Sequence, residues 1–252
     1  MISVTILTKN AAATLFSVLQ ATRPFSEVII LDTGSTDETL EIASGFSNVK
    51  VRKAPFNGFG PAHNLAANHA SYDWVLSLDS DEVPTSALVQ EILSLNLDPH
   101  CVYSFPFHNY FNGKWIKGCG WYPDRHVRLY HKKTTAFSTD YVHEKILADR
   151  TRTVDLKHPV KHYSYRSISD LLAKMEVYTE LFARQNHGKK PSSFGKACLH
   201  GLYAFVKAYF FQRGFFVGKE GLIISLYKGQ TSFYKYLKLW RLNQYASRSR
   251  LP

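Results

Sequence analysis

Apolar and polar positions come in alternating blocks along the first hundred residues, and the blocks predict strands and helices in turn. Residues 2–7 are a short apolar run, and 10–22 can form a helix that stops before Pro24. Residues 27–31 make a second strand with a continuous apolar stretch. Ser35-Thr36-Asp37-Glu38 has capping-box spacing ahead of Leu40, Ile42 and Ala43, with Gly45 as a stop. Residues 49–52 read as a third strand, and Pro61 opens a helix to about residue 69. Residues 73–78 are a fourth apolar strand that runs into Asp79, and 85–95 a helix with Thr85 as its cap. This alternation predicts an α/β fold: a mostly parallel sheet flanked by helices, its strands buried on both faces.

The pattern changes after residue 100. Residues 101–107 and 126–131 read as strands, separated by a Gly- and aromatic-rich loop over 112–123. From 167 onward the periodicity is helical, over 168–187, 195–213 and 222–245, with a break at 188–191. The expected organisation is a catalytic domain over 1–166 and a C-terminal helical extension over 167–252.

Charge sharpens that division. Residues 1–144 hold 11 Lys and Arg against 14 Asp and Glu, whereas 145–252 hold 20 against 6. The overall +11 therefore belongs to the second part and points to an anionic partner. Three cysteines without a CxxC pair suggest neither a disulfide framework nor a zinc knuckle, and a reducing cytosol fits. The N-terminus reads as a strand rather than a signal peptide, and no apolar run is long enough to span a bilayer.

Acidic groups stand where the strands end. Asp32 follows the second strand, and Asp79-Ser80-Asp81-Glu82 follows the fourth. Ligands of parallel α/β sheets bind beyond the carboxyl ends of the strands. Two carboxylates at i and i+2 there can converge on a hard cation, Mg²⁺ or Mn²⁺, that also holds a diphosphate. Alone, a DxD is also compatible with a solvated turn.

Taken in order, VTILTKN, VIILDTGSTDET and WVLSLDSDE resemble the family 2 glycosyltransferases, which have the GT-A (Rossmann-like) fold. The resemblance implies that Thr8, Lys9 and Asn10 line the nucleotide end of the pocket. Asp32 would contact the base or ribose, Asp79 would lie near ribose and metal, and Asp81 would bind the metal, with Glu82 orienting the pair. A second set of segments is similar to lipopolysaccharide core glucosyltransferases: Trp121-Tyr122-Pro123, Arg125-His126-Val127-Arg128-Leu129-Tyr130 and Val142-His143-Glu144. It implies Glu144 as the catalytic base, with Asp140 and His143 in reserve, and Arg125 and Arg128 as phosphate or acceptor contacts unless they merely pair with carboxylates. His162, in the segment His158-Pro159-Val160-Lys161-His162-Tyr163-Ser164-Tyr165, matches the late histidine that completes a metal site in several such enzymes. A processive Gln-x-x-Arg-Trp motif is absent, which favours single-sugar transfer.

The implied reaction moves a sugar from a nucleotide sugar, UDP-linked and glucose-like, to an anionic glycolipid acceptor such as lipopolysaccharide core, with inversion. The aromatic residues between 203 and 240, interleaved with Lys and Arg, suit an interfacial helix on the inner face of the cytoplasmic membrane, or equally a helical pair packed on the domain. No nucleic-acid-binding fold is recognised, so nucleic acid is not expected as a partner. Two alternatives remain: a haloacid-dehalogenase-like phosphatase with Asp79 as nucleophile and Asp81 as acid/base, or an inactive basic membrane-binding module.

Overall fold

The computed structural model describes residues 1–140 and 144–248. Its elements follow the predicted order: β1 (Ile2–Thr8), α1 (Ala12–Thr22), β2 (Glu27–Asp32), α2 (Thr39–Ser44), β3 (Val49–Lys53), α3 (Phe59–His69), β4 (Trp74–Asp79), β5 (Glu82–Pro84), α4 (Ser86–Leu93), β6 (Cys101–Phe111), β7 (Lys114–Trp115), β8 (Arg125–His131), β9 (Arg152–Asp155), β10 (Val160–Tyr165), α5 (Ile168–Asn186), α6 (Phe194–Val206) and α7 (Lys219–Arg248). Two compact units result, 1–108 with 124–163, and 109–123 with 164–252. The excursion at 109–123 thus groups with the C-terminal helices.

In the first unit, β3, β2, β1 and β4 lie side by side and parallel, and β8 then adds antiparallel to β4. Every residue of β1 and β2 is buried, which is why these strands read as mostly apolar. Alternate residues serve opposite faces. Val4, Ile6, Val28, Ile30, Leu76 and Leu78 pack with Leu15, Val18 and Leu19 of α1 and Leu88 and Ile92 of α4. On the other face Leu7 and Leu31 meet Ala62 and Ala66 of α3, while Ile29 and Val75 meet Ala67 and Ala70. Burying these side chains supplies the main stabilisation, about 1.5–3 kcal/mol for each large aliphatic side chain.

Local chemistry departs from expectation at one cap. Residues 35–38 do not cap α2 as a capping box, because Glu38 is the N-cap and no side chain bonds there. Instead Asp37 Oδ2 accepts from the Ala12 amide (3.1 Å) and Oδ1 from the Thr39 hydroxyl (2.5 Å), so the segment ties α1 to α2. Thr85 does cap α4, accepting from the Leu88 amide at 3.2 Å.

In the second unit, α5 opens with a capping box of Ser167 and Asp170. A small core joins Phe111, Ile116, Cys119, Leu171, Val217 and Ile224. α6 and α7 approach closely because both are glycine at the crossing: a Cβ on Gly201 would stand 2.9 Å from Phe233 Cβ, and one on Gly229 3.1 Å from Phe205 Cβ. The helix predicted over 195–213 ends at Val206 and continues as a π turn, Lys207–Phe211, and a 3-10 turn, Gly214–Val217. Among the described residues, no helix is long and apolar enough to cross a membrane.

Candidate active site

The parallel register sets the site. Thr8 pairs with Asp32 across β1 and β2, and Leu7 with Asp79 across β1 and β4, so three strand ends bring Thr8, Asp32 and Asp79 to one edge. Asp32 is 2% exposed. Its carboxylate accepts from the Thr8 hydroxyl (3.1 Å), the Gly34 and Ser35 amides (3.1 Å each) and the Ser35 hydroxyl. Burial pushes this carboxyl up, but the Ser35 hydroxyl, the two amides and Thr8 outweigh it, and Asp32 sits below the ordinary carboxylate range. It is a preorganised anion.

Asn10 adopts a left-handed backbone, φ 53°, and its side-chain oxygen accepts from the Thr36 amide at 2.8 Å. Its own amide donates to Ser35 Oγ at 3.0 Å. Asn10 thus stitches the loop after β1 to the loop after β2, and Lys9 beside it is exposed.

Around Asp79 the sheet assembles a charged network. β8 lies antiparallel on β4, and Arg128 Nη2 donates to Asp79 Oδ2 (2.9 Å) and to Glu82 Oε1 (2.7 Å). Glu82, 1% exposed, also accepts from the Asp79 amide at 3.0 Å. Burial would raise the Asp79 carboxyl, but Arg128 first, then His63, hold it well below the ordinary range. Burial pushes Glu82 up, with Arg128 pulling against it and the Asp79 and Asp81 carboxylates adding to it. Arg128 is drawn down by burial and raised further by Glu82 and Asp79, so it keeps its charge.

β5 pairs antiparallel with β10, His162 opposite Glu82. That pairing brings His162 Nε2 to 3.6 Å from Asp81 Oδ1 and holds the Asp81 carbonyl on the Tyr163 amide. Asp81 and His162 therefore form a two-donor pair, and Asp79 stands beside them with one oxygen committed to Arg128. Among the described residues no cluster of three or more His, Cys, Asp or Glu donors is already assembled for a metal. A carboxylate and an imidazole are donors that would suit a divalent cation, with Asp81 and His162 the residues to hold it.

His63 is a site residue that the sequence reading missed. It lies on the face of α3 that carries Ala62, Ala66 and Ala67, is 1% exposed and stacks on Phe137 at 4.4 Å. Nδ1 shares a hydrogen bond with Ser77 Oγ at 3.0 Å. Nε2, buried and without a hydrogen bond, stands 3.8 Å from Asp79 Oδ1 and 3.9 Å from Glu144 Oε1. Burial pulls this imidazole down to about 4, Asp79 opposes that and Arg128 adds to it, so it is neutral at pH 7. The one signal available was a polar ring on an otherwise alanine-lined helix face.

The remaining candidates separate. Glu144 is brought within reach of His63, although 65 to 81 positions divide it from Asp79 and His63 in the chain. Asp140 is exposed, and its carbonyl accepts from the Gly60 amide at 3.2 Å. Gly60 is required there, since a Cβ would lie 2.0 Å from the Ser138 carbonyl oxygen. His143 lies outside the described residues. Arg125 does not turn to this group: it donates to the carbonyls of Leu156 (2.8 Å) and Ser104 (3.2 Å) and pairs with Asp155.

Comparison with known proteins bears on the family and the fold. The model of the family described as Glycosyl transferase family 2 matches residues 3–150. An uncharacterized glycosyltransferase of Rickettsia typhi is 28% identical over 99% of this chain and 89% of its own length. One from Rickettsia bellii is 28% identical over 96% and 86%. Among solved structures, a mannosyltransferase from Pyrobaculum calidifontis in complex with GDP-Man and Mn²⁺ superposes with a TM-score of 0.52. It is 16% identical, with 97% of this chain and 87% of that chain covered.

Proposed function

This chain belongs to glycosyl transferase family 2, and on that footing we propose that it transfers one sugar, with inversion, from a UDP-linked nucleotide sugar to an anionic glycolipid such as a lipopolysaccharide core saccharide. The observation that carries the reading is the gathering of Asp32, Asp79 and Glu144 around the ends of β1, β2 and β4, where a parallel α/β sheet binds its ligand. Asp32, held ionised by four donors, receives the nucleoside. Thr8, Lys9 and Asn10 line that end of the pocket.

Mg²⁺ or Mn²⁺, when bound by Asp81 and His162 with Asp79 beside them, supplies positive charge to the departing diphosphate. The complex of GDP-Man and Mn²⁺ in the Pyrobaculum protein supports the pairing of sugar nucleotide and cation. Glu144 accepts the proton of the acceptor hydroxyl. The acceptor oxygen then bonds to the anomeric carbon as the carbon–oxygen bond to the diphosphate breaks, and the nucleoside diphosphate leaves with that electron pair. Arg128 keeps Asp79 ionised and aimed, and neutral His63 fills the space between Asp79 and Glu144 without adding charge.

The second unit supports the acceptor side of the proposal. Phe211 and Phe216 are 79% and 76% exposed, and Lys207, Arg213 and Lys219 are exposed near them in sequence. Aromatic side chains with nearby cations suit an anionic bilayer surface, and this supports a position on the inner face of the cytoplasmic membrane. The decisive experiment is a nucleotide-sugar panel scored for metal-dependent hydrolysis and UDP binding. UDP should bind more tightly with Mn²⁺, and Asp81→Ala should remove most of that gain. Equal binding with and without metal would refute the metal-dependent reading.

A further inference from the structure

The crossing of α6 and α7 segregates charge. One side carries an apolar groove of about 280 Å³ between the helices, lined by Leu202, Phe205, Leu226 and Phe233 and containing no Lys or Arg. Helix positions one step round, at 200, 203, 204 and 207 and at 227, 228, 231, 232 and 235, line a second recess of about 380 Å³. Three lysines, Lys207, Lys228 and Lys235, enter this recess with His200, Thr231 and Ser232, and no Asp or Glu lines it.

Lys228 and Lys235 are partly buried and Lys207 is exposed. Lys228 is half-buried, and its ammonium donates to the Cys119 carbonyl. Burial pulls its pKa below the usual lysine value, with Cys119 opposing that and the Lys207 charge adding to it. His200 stacks on Tyr236 at 4.1 Å and is drawn down by burial and by Lys196, Lys235 and Lys190. Lys235 lies over the Phe182 and Tyr236 rings and Lys207 over Tyr203. Three like charges lining one recess with no carboxylate repel one another, and an anion among them reverses the sign of the interaction. The volume falls at the lower end of small-ligand sites, roughly 300–1,000 Å³, which is room for a phosphorylated group with part of what it is attached to.

We propose that the recess between α6 and α7 is a binding site for a multiply charged phosphoryl group, a phosphomonoester or a pyrophosphate, gripped by Lys207, Lys228 and Lys235 with hydroxyl donors from Thr231 and Ser232. The site belongs wholly to the second unit and stands whether or not the donor reading of the strand-end carboxylates is right. The shared chemistry has two sources, a soluble phosphate compound or the headgroup of a phosphorylated lipid.

The test uses the full chain in EDTA, titrated with inorganic pyrophosphate by calorimetry. Saturable binding is expected in the parent protein and in Asp81→Ala. The double variant Lys207→Gln/Lys235→Gln should weaken it by about tenfold or more, given the strength of charge-assisted bonds to phosphate, and Lys207→Arg/Lys235→Arg should restore most of it. Co-sedimentation with vesicles of phosphatidic acid in phosphatidylcholine then separates the sources. Recruitment that pyrophosphate competes away, and that the double Gln variant loses, assigns the lipid headgroup. Pyrophosphate binding without such recruitment assigns a soluble phosphate compound. Absence of pyrophosphate binding in the parent, or unchanged binding in the double Gln variant, overturns the site. Loss in Asp81→Ala alone would move the binding to the strand-end carboxylates and overturn it equally.

Discussion

Arg128 donates from Nη2 to Asp79 Oδ2 at 2.9 Å, joining β8 to the end of β4 across 49 positions of sequence. The same nitrogen reaches Glu82, so one guanidinium holds two carboxylates. Removing it leaves Glu82 buried beside two other carboxylates without its cation. Breaking a buried pair from one side typically destabilises by about 3–5 kcal/mol. Arg128→Met should therefore lower stability by about that amount in urea denaturation, and Arg128→Met/Glu82→Gln should recover part of the loss. A double variant no more stable than the single one would mean that Glu82 is not the liability.

Glu144→Gln should reduce transfer by about 10²–10⁴-fold, the usual contribution of a general base, while nucleotide-sugar binding stays near the parent value. Asp140→Asn should retain most activity, because Asp140 is exposed and makes its contact to Gly60 through its carbonyl. Steady-state kinetics with separate donor-binding titrations read both. Turnover of Glu144→Gln at the parent rate would remove Glu144 from the role.

Gly60→Ala should destabilise the first unit by about 1–3 kcal/mol, the range for overpacking a filled site. The added methyl would overlap the Ser138 carbonyl oxygen and crowd the Asp140 carbonyl oxygen at 2.9 Å, and both are main chain, which cannot rotate away. Thermal melting of the purified variant measures it, and a melting temperature equal to the parent's would contradict the packing.

Glu27 predicts an acid limit to stability. It is 3% exposed and accepts from the Ser3 hydroxyl (2.6 Å), Lys50 (2.7 Å), and the Ser71 hydroxyl (2.6 Å) and amide (2.8 Å). Burial would raise its carboxyl, but Lys50, Ser3 and Ser71 lower it from 4.5 to about 2. A carboxyl depressed in the folded state contributes stability that is complete above its unfolded value and is lost as pH falls from about 4.5 towards 2. The amount is about 3 kcal/mol at 1.36 kcal/mol per pKa unit. Denaturation midpoints of the parent and Glu27→Gln should differ most at pH 6–7 and converge near pH 2. A difference independent of pH would show that the charge of Glu27 is not what stabilises.

Phe211→Ser/Phe216→Ser should cut partitioning onto anionic vesicles by about tenfold, since losing even half of each ring's burial removes roughly 1 kcal/mol or more. Sedimentation with phosphatidylglycerol vesicles checks it. Unchanged partitioning would take these rings out of any membrane contact.

The alternation of apolar blocks was enough to predict the parallel sheet, since β1, β2 and β4 are covered on both faces and a strand so placed is mostly apolar, with the hydrogen-bonded Ser3, Glu27 and Ser77 as buried exceptions. Asp32, Asp79 and Asp81 were legible for a related reason: a charged residue directly after such a run has to lie at the sheet's edge. Short-range chemistry was less secure. Residues 35–38 have capping-box spacing, yet no side chain caps α2 there and Asp37 receives the Ala12 amide, a partner 25 positions away.

What sequence alone determined, then, was the sheet and the row of acids along its edge, because both follow from hydrophobic period and strand length. Which side chains meet those acids was decided only by the tertiary structure. Arg128 reaches Asp79 because β8 enters antiparallel beside β4, His162 reaches Asp81 because β10 pairs with β5, and His63 comes under both Asp79 and Glu144 because α3 packs its alanine face on the sheet. Pairing order and packing depend on the whole chain closing at once, and no local pattern of residues encodes a neighbour 50 or 80 positions away.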